Sequence, residues 1–100
     1  MIMILVKYRT KTGERDAFVK ALLSEGIPAC TQKENGNLCY DFSLSIEDPD
    51  AVFLVEQWKD PDCLQEHASQ PMYRRLGELR KELSVERETF VIYDAQPRGD

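Results

Sequence analysis

VFLVEQWKDPDCLQEH, residues 52–67, is the stretch on which the fold turns. Up to Trp58 it combines β-branched and aromatic side chains with no Gly or Pro, the composition of a strand. Side chains on a strand alternate between faces, so Val52, Leu54, Glu56 and Trp58 share one side and Phe53, Val55 and Gln57 the other. Both sets are mostly apolar, which predicts a strand covered on both faces. Lys59-Asp60-Pro61 ends it: Asp60 suits a helix N-cap, Pro61 the first helical position, and Asp62 complements the helix dipole. A helix starting there places Cys63, Leu64, His67 and Ala68 on one stripe. If that stripe packs back on the strand, the only histidine, the only tryptophan and an inward Glu56 converge.

Upstream, Ile2–Arg9 alternates as a first strand, with Ile2, Ile4, Val6 and Tyr8 on one face. Thr10–Gly13 is a turn, and Thr12 is placed to cap a helix that carries the stripe Phe18 and Leu22. Gly26-Ile27-Pro28 interrupts that helix, and Pro28 restarts a short second piece. Glu34-Asn35-Gly36-Asn37 is a turn cluster. Leu38–Ser45 forms a second strand, with Leu38, Tyr40, Phe42 and Leu44 on one face, and Glu47–Asp50 joins it to the next strand as an antiparallel hairpin. Downstream, Pro71 starts another helix along which Met72, Tyr73, Leu76, Leu79 and Leu83 keep helical spacing. A last strand lies within Glu88–Ala95. The order β-α-β-β-α-β is the split βαβ, ferredoxin-like α+β arrangement of an antiparallel sheet with helices on one face. The other sheet face is also apolar, and a second copy of the chain is its simplest cover.

With 100 residues, 42% apolar and 31% charged, the chain fits one soluble globular domain. A net charge of −5 opposes binding to nucleic acid and to anionic membranes. No apolar run approaches the ~20 residues that span a bilayer, and MIMILV, followed at once by Lys7 and Arg9, lacks the marks of a signal peptide. Cys30, Cys39 and Cys63 make an odd, scattered set, expected as free thiols in a reducing cytoplasm.

Glu56, Trp58 and His67 are the sharpest chemical candidates. Trp58 offers a flat wall for an aromatic or quinone-like ligand, His67 moves a proton near neutral pH, and Glu56 orients the imidazole or serves as the base. The bland alternative makes Trp58 core, Glu56 a hydrogen-bonded edge residue and His67 a solvated one. Tyr40, Tyr73, Met72 and Leu54 are candidates for a pocket lining, although aromatics and Met at these periods are more often plain core. One histidine and scattered cysteines lack the CxxC or HExxH spacing of a metal site, so no metal is expected. No GxGxxG and no P-loop is present, so no nucleotide cofactor is expected. Cys30 and Cys63 are read as buried, inert thiols. Arg74-Arg75 and Arg80-Lys81, interleaved with Glu78 and Glu82, are read as solvated helix surface.

The segment from Asn35 to Leu76, NGNLCYDFSLSIEDPDAVFLVEQWKDPDCLQEHASQPMYRRL, resembles the diagnostic part of antibiotic biosynthesis monooxygenase (ABM) domains. It shows their Gly with L-x-Y-D/E (Gly36, Leu38, Tyr40, Asp41), an E-D-P-like hairpin (Asp48, Pro49), a strand ending E-x-W (Glu56, Trp58) and a helix with His before a Pro (His67, Pro71). The resemblance implies a single domain over residues 1–95 with a polar tail over 96–100. It also implies a dimeric α+β barrel whose sites lie between each subunit's sheet and helices. Members of the family include cofactor-free oxygenases of quinols or polyketide phenols, haem degraders, and an isomerase of a phosphorylated quorum-sensing sugar derivative. The Asn that haem degraders carry on the first strand has no counterpart in Ile2–Arg9. The expectation is therefore a cytoplasmic homodimer that acts without cofactor as a monooxygenase of a small hydroxylated aromatic. His67 and Glu56 would be catalytic, with Trp58, Tyr40, Tyr73, Met72 and Leu54 at the substrate. The alternatives are a cofactor-free isomerase of a small phosphorylated carbonyl compound and a non-catalytic small-molecule binder.

Overall fold

The structure, a computed structural model, describes residues 1–99. The elements are β1 (Ile2–Arg9), α1 (Arg15–Ser24), α2 (Ile27–Thr31), β2 (Asn37–Leu44), β3 (Ala51–Trp58), α3 (Pro61–Ala68), α4 (Pro71–Leu83) and β4 (Glu86–Asp94). The strands form one antiparallel sheet in the order β2-β3-β1-β4, with the helices against one face, which is the ferredoxin-like α+β arrangement.

The core lies between that face and the helices. Ile2, Ile4, Val6 and Tyr8 of β1 and Val52, Leu54 and Trp58 of β3 meet Phe18 and Leu22 of α1, Ile27 of α2 and Leu76 and Leu79 of α4. The apolar alternation of β1 and β3 needs the middle of a sheet, and the topology gives both strands neighbours on each side. Asp60 caps α3 as its sequence predicts, its carboxylate accepting the Cys63 N–H at 2.9 Å, and Pro61 follows in the first turn. Helix α1 begins later than expected. Its N-cap position is Glu14, with no side-chain cap, and Thr12 stays in the preceding turn, because Gly13 takes a positive φ and donates its N–H to Asp50 instead. Pro28 does open the short α2.

Two bulges change which side chains face the helices. In β2, Asn37 pairs with Trp58 and Cys39 with Gln57, so Leu38 is the extra residue. Leu38 is 57% exposed, and the face expected to read Leu38, Tyr40, Phe42, Leu44 keeps only Tyr40 fully buried. In β4, Thr89 pairs with Lys7 and Arg87 with Tyr8, which leaves Glu88 as the extra residue. Uninterrupted alternation from Phe90 and Ile92 would send Glu88 toward the helices. The bulge sends Arg87 there instead, and Glu88 pairs with Lys7 (3.1 Å) and Arg9 (2.8 Å) on the opposite face. That opposite face has no helix. Leu5, Phe53, Val91 and Tyr93 are exposed on it, and Leu5 sits between Val55 and Val91.

All three cysteines are free; Cys63 is buried, but Cys30 is exposed, contrary to its reading as a buried thiol. Among the described residues no helix is long and apolar enough to cross a membrane.

Candidate active site

A cavity of about 380 Å³ opens between the sheet and the pair α3–α4, within the size range of small-molecule sites. Ile4, Tyr8, Tyr40, Glu56, His67 and Tyr73 belong to its wall, and Phe90 and Ile92 close it from β4. His67 reaches it because the Asp60 cap fixes the start of α3, so the stripe Cys63–His67 is the buried one. Glu56 comes from β3, opposite Tyr40 of β2.

The imidazole is held on every side. Its Nδ1 lies 2.7 Å from Glu34 Oε1 and its Nε2 lies 3.7 Å from Glu56 Oε1. The Trp58 ring stacks on it at 4.5 Å and 27°, and Tyr73 meets it edge-on at 5.3 Å. In the tautomer whose Nδ1–H donates to Glu34, Nε2 is the nitrogen that carries the lone pair on the Glu56 side. The Trp58 indole N–H donates to the same Glu56 oxygen at 3.1 Å. Burial raises the Glu56 pKa, and the Trp58 hydrogen bond and the nearby His67 work against that rise. Burial likewise pushes the Tyr8 phenol up to about 12, with the Glu56 carboxylate adding to it, and it raises Tyr40 further still. Both phenols therefore stay protonated donors at neutral pH.

The structure brings Glu56, His67, Tyr40 and Tyr73 to one cavity. It does not place Trp58, Leu54 or Met72 among the residues lining it. Trp58 is fully buried behind His67, so the expected flat wall is a backing plate for the imidazole. Leu54 is 1% exposed core beneath the sheet surface, and Met72 packs on the core from the first turn of α4. His67 is 4% exposed rather than solvated.

Two groups escape the sequence reading. Glu34 follows α2 in a turn that its own backbone closes, with N–H to Thr31 at 3.0 Å and carbonyl to Asn37 at 3.1 Å. Two positions on, Gly36 has φ +75° and no room for a Cβ, which would collide with Cys63 Sγ, so the turn seats directly on α3. No spacing rule links a turn glutamate to a histidine 33 residues away. Arg80 is the second: it lines the cavity, its Cζ lies 5.3 Å from the centre of the Tyr8 ring, and its Nε is buried without a partner. Its expected place on the solvated helix surface is corrected by the α4 stripe of Leu76 and Leu79, which turns Arg80 toward the sheet. Among the described residues no cluster of His, Cys, Asp or Glu is arranged to hold a metal ion.

The raised Glu56 pKa has a consequence for stability. A carboxyl whose folded pKa lies above its unfolded value favours folding fully only below the unfolded pKa, and that favour is lost as pH rises through the folded one. Glu56→Gln is therefore expected to raise Tm at pH 8, with the gain over wild type shrinking as pH falls toward 4. A Tm difference independent of pH in that window would show that Glu56 burial carries no such cost.

This fold and site define a ferredoxin-like α+β protein with a ligand-sized cavity between sheet and helices and a carboxylate–imidazole pair in its wall. The sequence pattern of the antibiotic biosynthesis monooxygenase family matches residues 1–79, and the chain belongs to that family. No curated protein sequence matches it. Among solved structures it is similar to a Deinococcus radiodurans protein provisionally named an antibiotic biosynthesis monooxygenase, at TM-score 0.86 and 22% identity, covering 100% of this chain and 97% of that one. A Nitrosomonas europaea protein with the same provisional name matches at TM-score 0.80 and 22% identity, over 95% and 98% of the two chains. A third, from Chloroflexus aurantiacus and also so named, matches at TM-score 0.76 and 24% identity, over 98% and 96%. At these identities the likeness establishes the fold.

Proposed function

We propose that the protein is a cofactor-independent monooxygenase of a small hydroxylated aromatic. The observation that carries this reading is the imidazole of His67, oriented by Glu34 at Nδ1 and presenting Nε2 beside Glu56 in a largely apolar cavity. A phenol has a pKa near that of tyrosine, about 10, and must lose its proton to become a good reductant. Nε2 takes that proton, and Glu34 stabilises the imidazolium so formed, as a carboxylate does for a catalytic histidine. The phenolate passes one electron to O₂, and the resulting radical and superoxide combine at a ring carbon. Loss of water then leaves one oxygen atom on a ring oxidised to the quinone level. For a hydroquinone the balance is hydroquinone plus O₂ giving hydroxyquinone plus water, so the substrate itself is the reductant. His67 also borders a small outer cavity of about 90 Å³ with Glu34, Asn35, Glu66 and Gln70, which gives the proton a route to solvent.

O₂ uptake on a panel of hydroquinones and polycyclic phenols tests the reading. Uptake with one oxygen atom retained in product supports it. No uptake across the panel ends it in favour of a binding or isomerising role.

The subunit is further proposed to pair through its helix-free sheet face, the apolar band centred on Leu5, Val55 and Val91. Val55→Asp, set in the middle of that band, is expected to shift the protein from dimer to monomer in sedimentation at micromolar concentration. Wild type sedimenting as a monomer would overturn the pairing.

A further inference from the structure

At the end of the cavity formed by β1, α4 and β4, two arginines stand outside any ion pair, Arg87 within electrostatic reach of Glu56. Arg80 and Arg87 both line the cavity, and among the described residues neither is in an ion pair. The other cationic residues near the sheet, Lys7 and Arg9, are paired with Glu88 or Asp48 on the opposite face. Arg75, one turn before Arg80, is clamped between Glu25 and Glu82. The contrast is local to the cavity, in a chain whose net charge is −5.

Arg80 places its guanidinium over the Tyr8 ring, and its Nε is buried with no hydrogen-bond acceptor. A buried N–H left unmade is costly, and native proteins keep such groups satisfied unless a site needs them. Arg87 is there because of the β4 bulge. Without it the residue opposite Tyr8 would be Glu88, and the bulge exchanges a carboxylate for a guanidinium at that point of the wall. Arg87 then sits over the Phe90 ring, Cζ 3.9 Å from its centre, a cation–π contact that holds the guanidinium there. Glu56 is the one acidic residue in the wall, and Trp58 and His67 already engage its carboxyl.

We propose that Arg80 and Arg87 form an anion-recognising end of the cavity, which takes a carboxylate or phosphate group carried by the substrate. The planar guanidinium matches either group bidentately. The inference rests on the cavity being the substrate site of the proposed oxygenase. It narrows the substrate to a hydroxylated aromatic bearing an anionic group, whose phenolic end points to His67.

Calorimetric titration of the full chain, in buffer free of phosphate and carboxylates, tests binding without turnover. The probes are 4-hydroxybenzoate, its neutral counterpart 4-hydroxybenzamide, and 4-hydroxyphenyl phosphate. Binding of at least one anionic probe more than about tenfold tighter than the amide is expected, and the tighter of the two identifies the group. Arg80→Met and Arg87→Met should each weaken the anionic probe about tenfold or more while leaving the amide unchanged, with Arg80→Lys in between. Arg87 lies on an exposed edge strand, so Arg87→Met keeps the test open if Arg80→Met fails to fold. Equal binding of amide and anions, wild-type affinity in Arg87→Met, or no binding of any probe at millimolar concentration overturns the proposal. Anion preference without O₂ uptake on any substrate would instead sink the oxygenase reading and leave this one standing.

Discussion

Replacing His67 with alanine is expected to lower turnover by about 10²–10⁴-fold, the usual range for a positioned proton-transfer group. The loss should fall on kcat and become smaller as pH rises, because a substrate that is already ionised no longer needs the base. The same change carries a stability cost. His67 is buried between Glu34 and Glu56, and removing it takes the hydrogen-bond partner from Glu34 and leaves Glu56 with the Trp58 N–H alone. An unmade buried hydrogen bond costs about 1–3 kcal/mol. His67→Gln retains a hydrogen-bonding side chain of similar reach without a base near neutral pH, and is expected to recover part of the stability and none of the turnover. O₂-uptake rates and thermal melts of the two variants separate the roles. Turnover in His67→Ala within a factor of three of wild type would remove His67 from the chemistry.

The largest effect on the fold is expected from Trp58→Ala. Trp58 is completely buried at the end of β3, where it stacks on His67 and donates to Glu56. Truncating a buried tryptophan costs about 3–5 kcal/mol, a large share of the ~5–15 kcal/mol that holds a domain folded. A drop in Tm of more than about 12 °C follows for a domain of this length. Because Trp58 stands behind the imidazole, the variant should also lose turnover through a displaced His67. Trp58→Phe keeps a ring there but loses the N–H donor, so the Glu56 pKa should rise further, moving the acid limb of the pH–rate profile upward. Unchanged melting in Trp58→Ala would contradict its burial, and an unchanged pH profile in Trp58→Phe would show that the indole N–H does not tune Glu56.

Much of this architecture is local chemistry and is legible in the chain. The alternation of Val52, Leu54, Glu56 and Trp58 fixes the inner face of β3, and Asp60-Pro61 fixes where α3 starts. Together these aim His67 at the strand, because a helix has a set period once its first residue is known. The order of elements, and hence the ferredoxin-like sheet and its uncovered apolar face, follows from the same alternation and from the turn residues. The meeting of Glu56 with His67 was legible on those grounds, as was the family.

What only the tertiary structure decided depends on register between distant strands and on contacts between distant turns. One extra residue at Leu38 breaks the face that carries Tyr40, and one at Glu88 exchanges Glu88 for Arg87 in the cavity. No periodicity announces such a residue, since a bulge exists only relative to the partner strand. Glu34 becomes the partner of His67 because a turn closed by Gly36 lands on α3, a contact across 33 residues. Trp58 reads from composition as a substrate wall, yet its size drives it fully into the core, and the buried imidazole takes the place in the cavity wall. Arg80 reads as surface because charge does, while the helix stripe set by Leu76 and Leu79 carries it inward. The sequence by itself determined which elements form and which faces are apolar, because those depend on neighbours a few residues apart. Which charges enter the cavity was decided only when the strands paired.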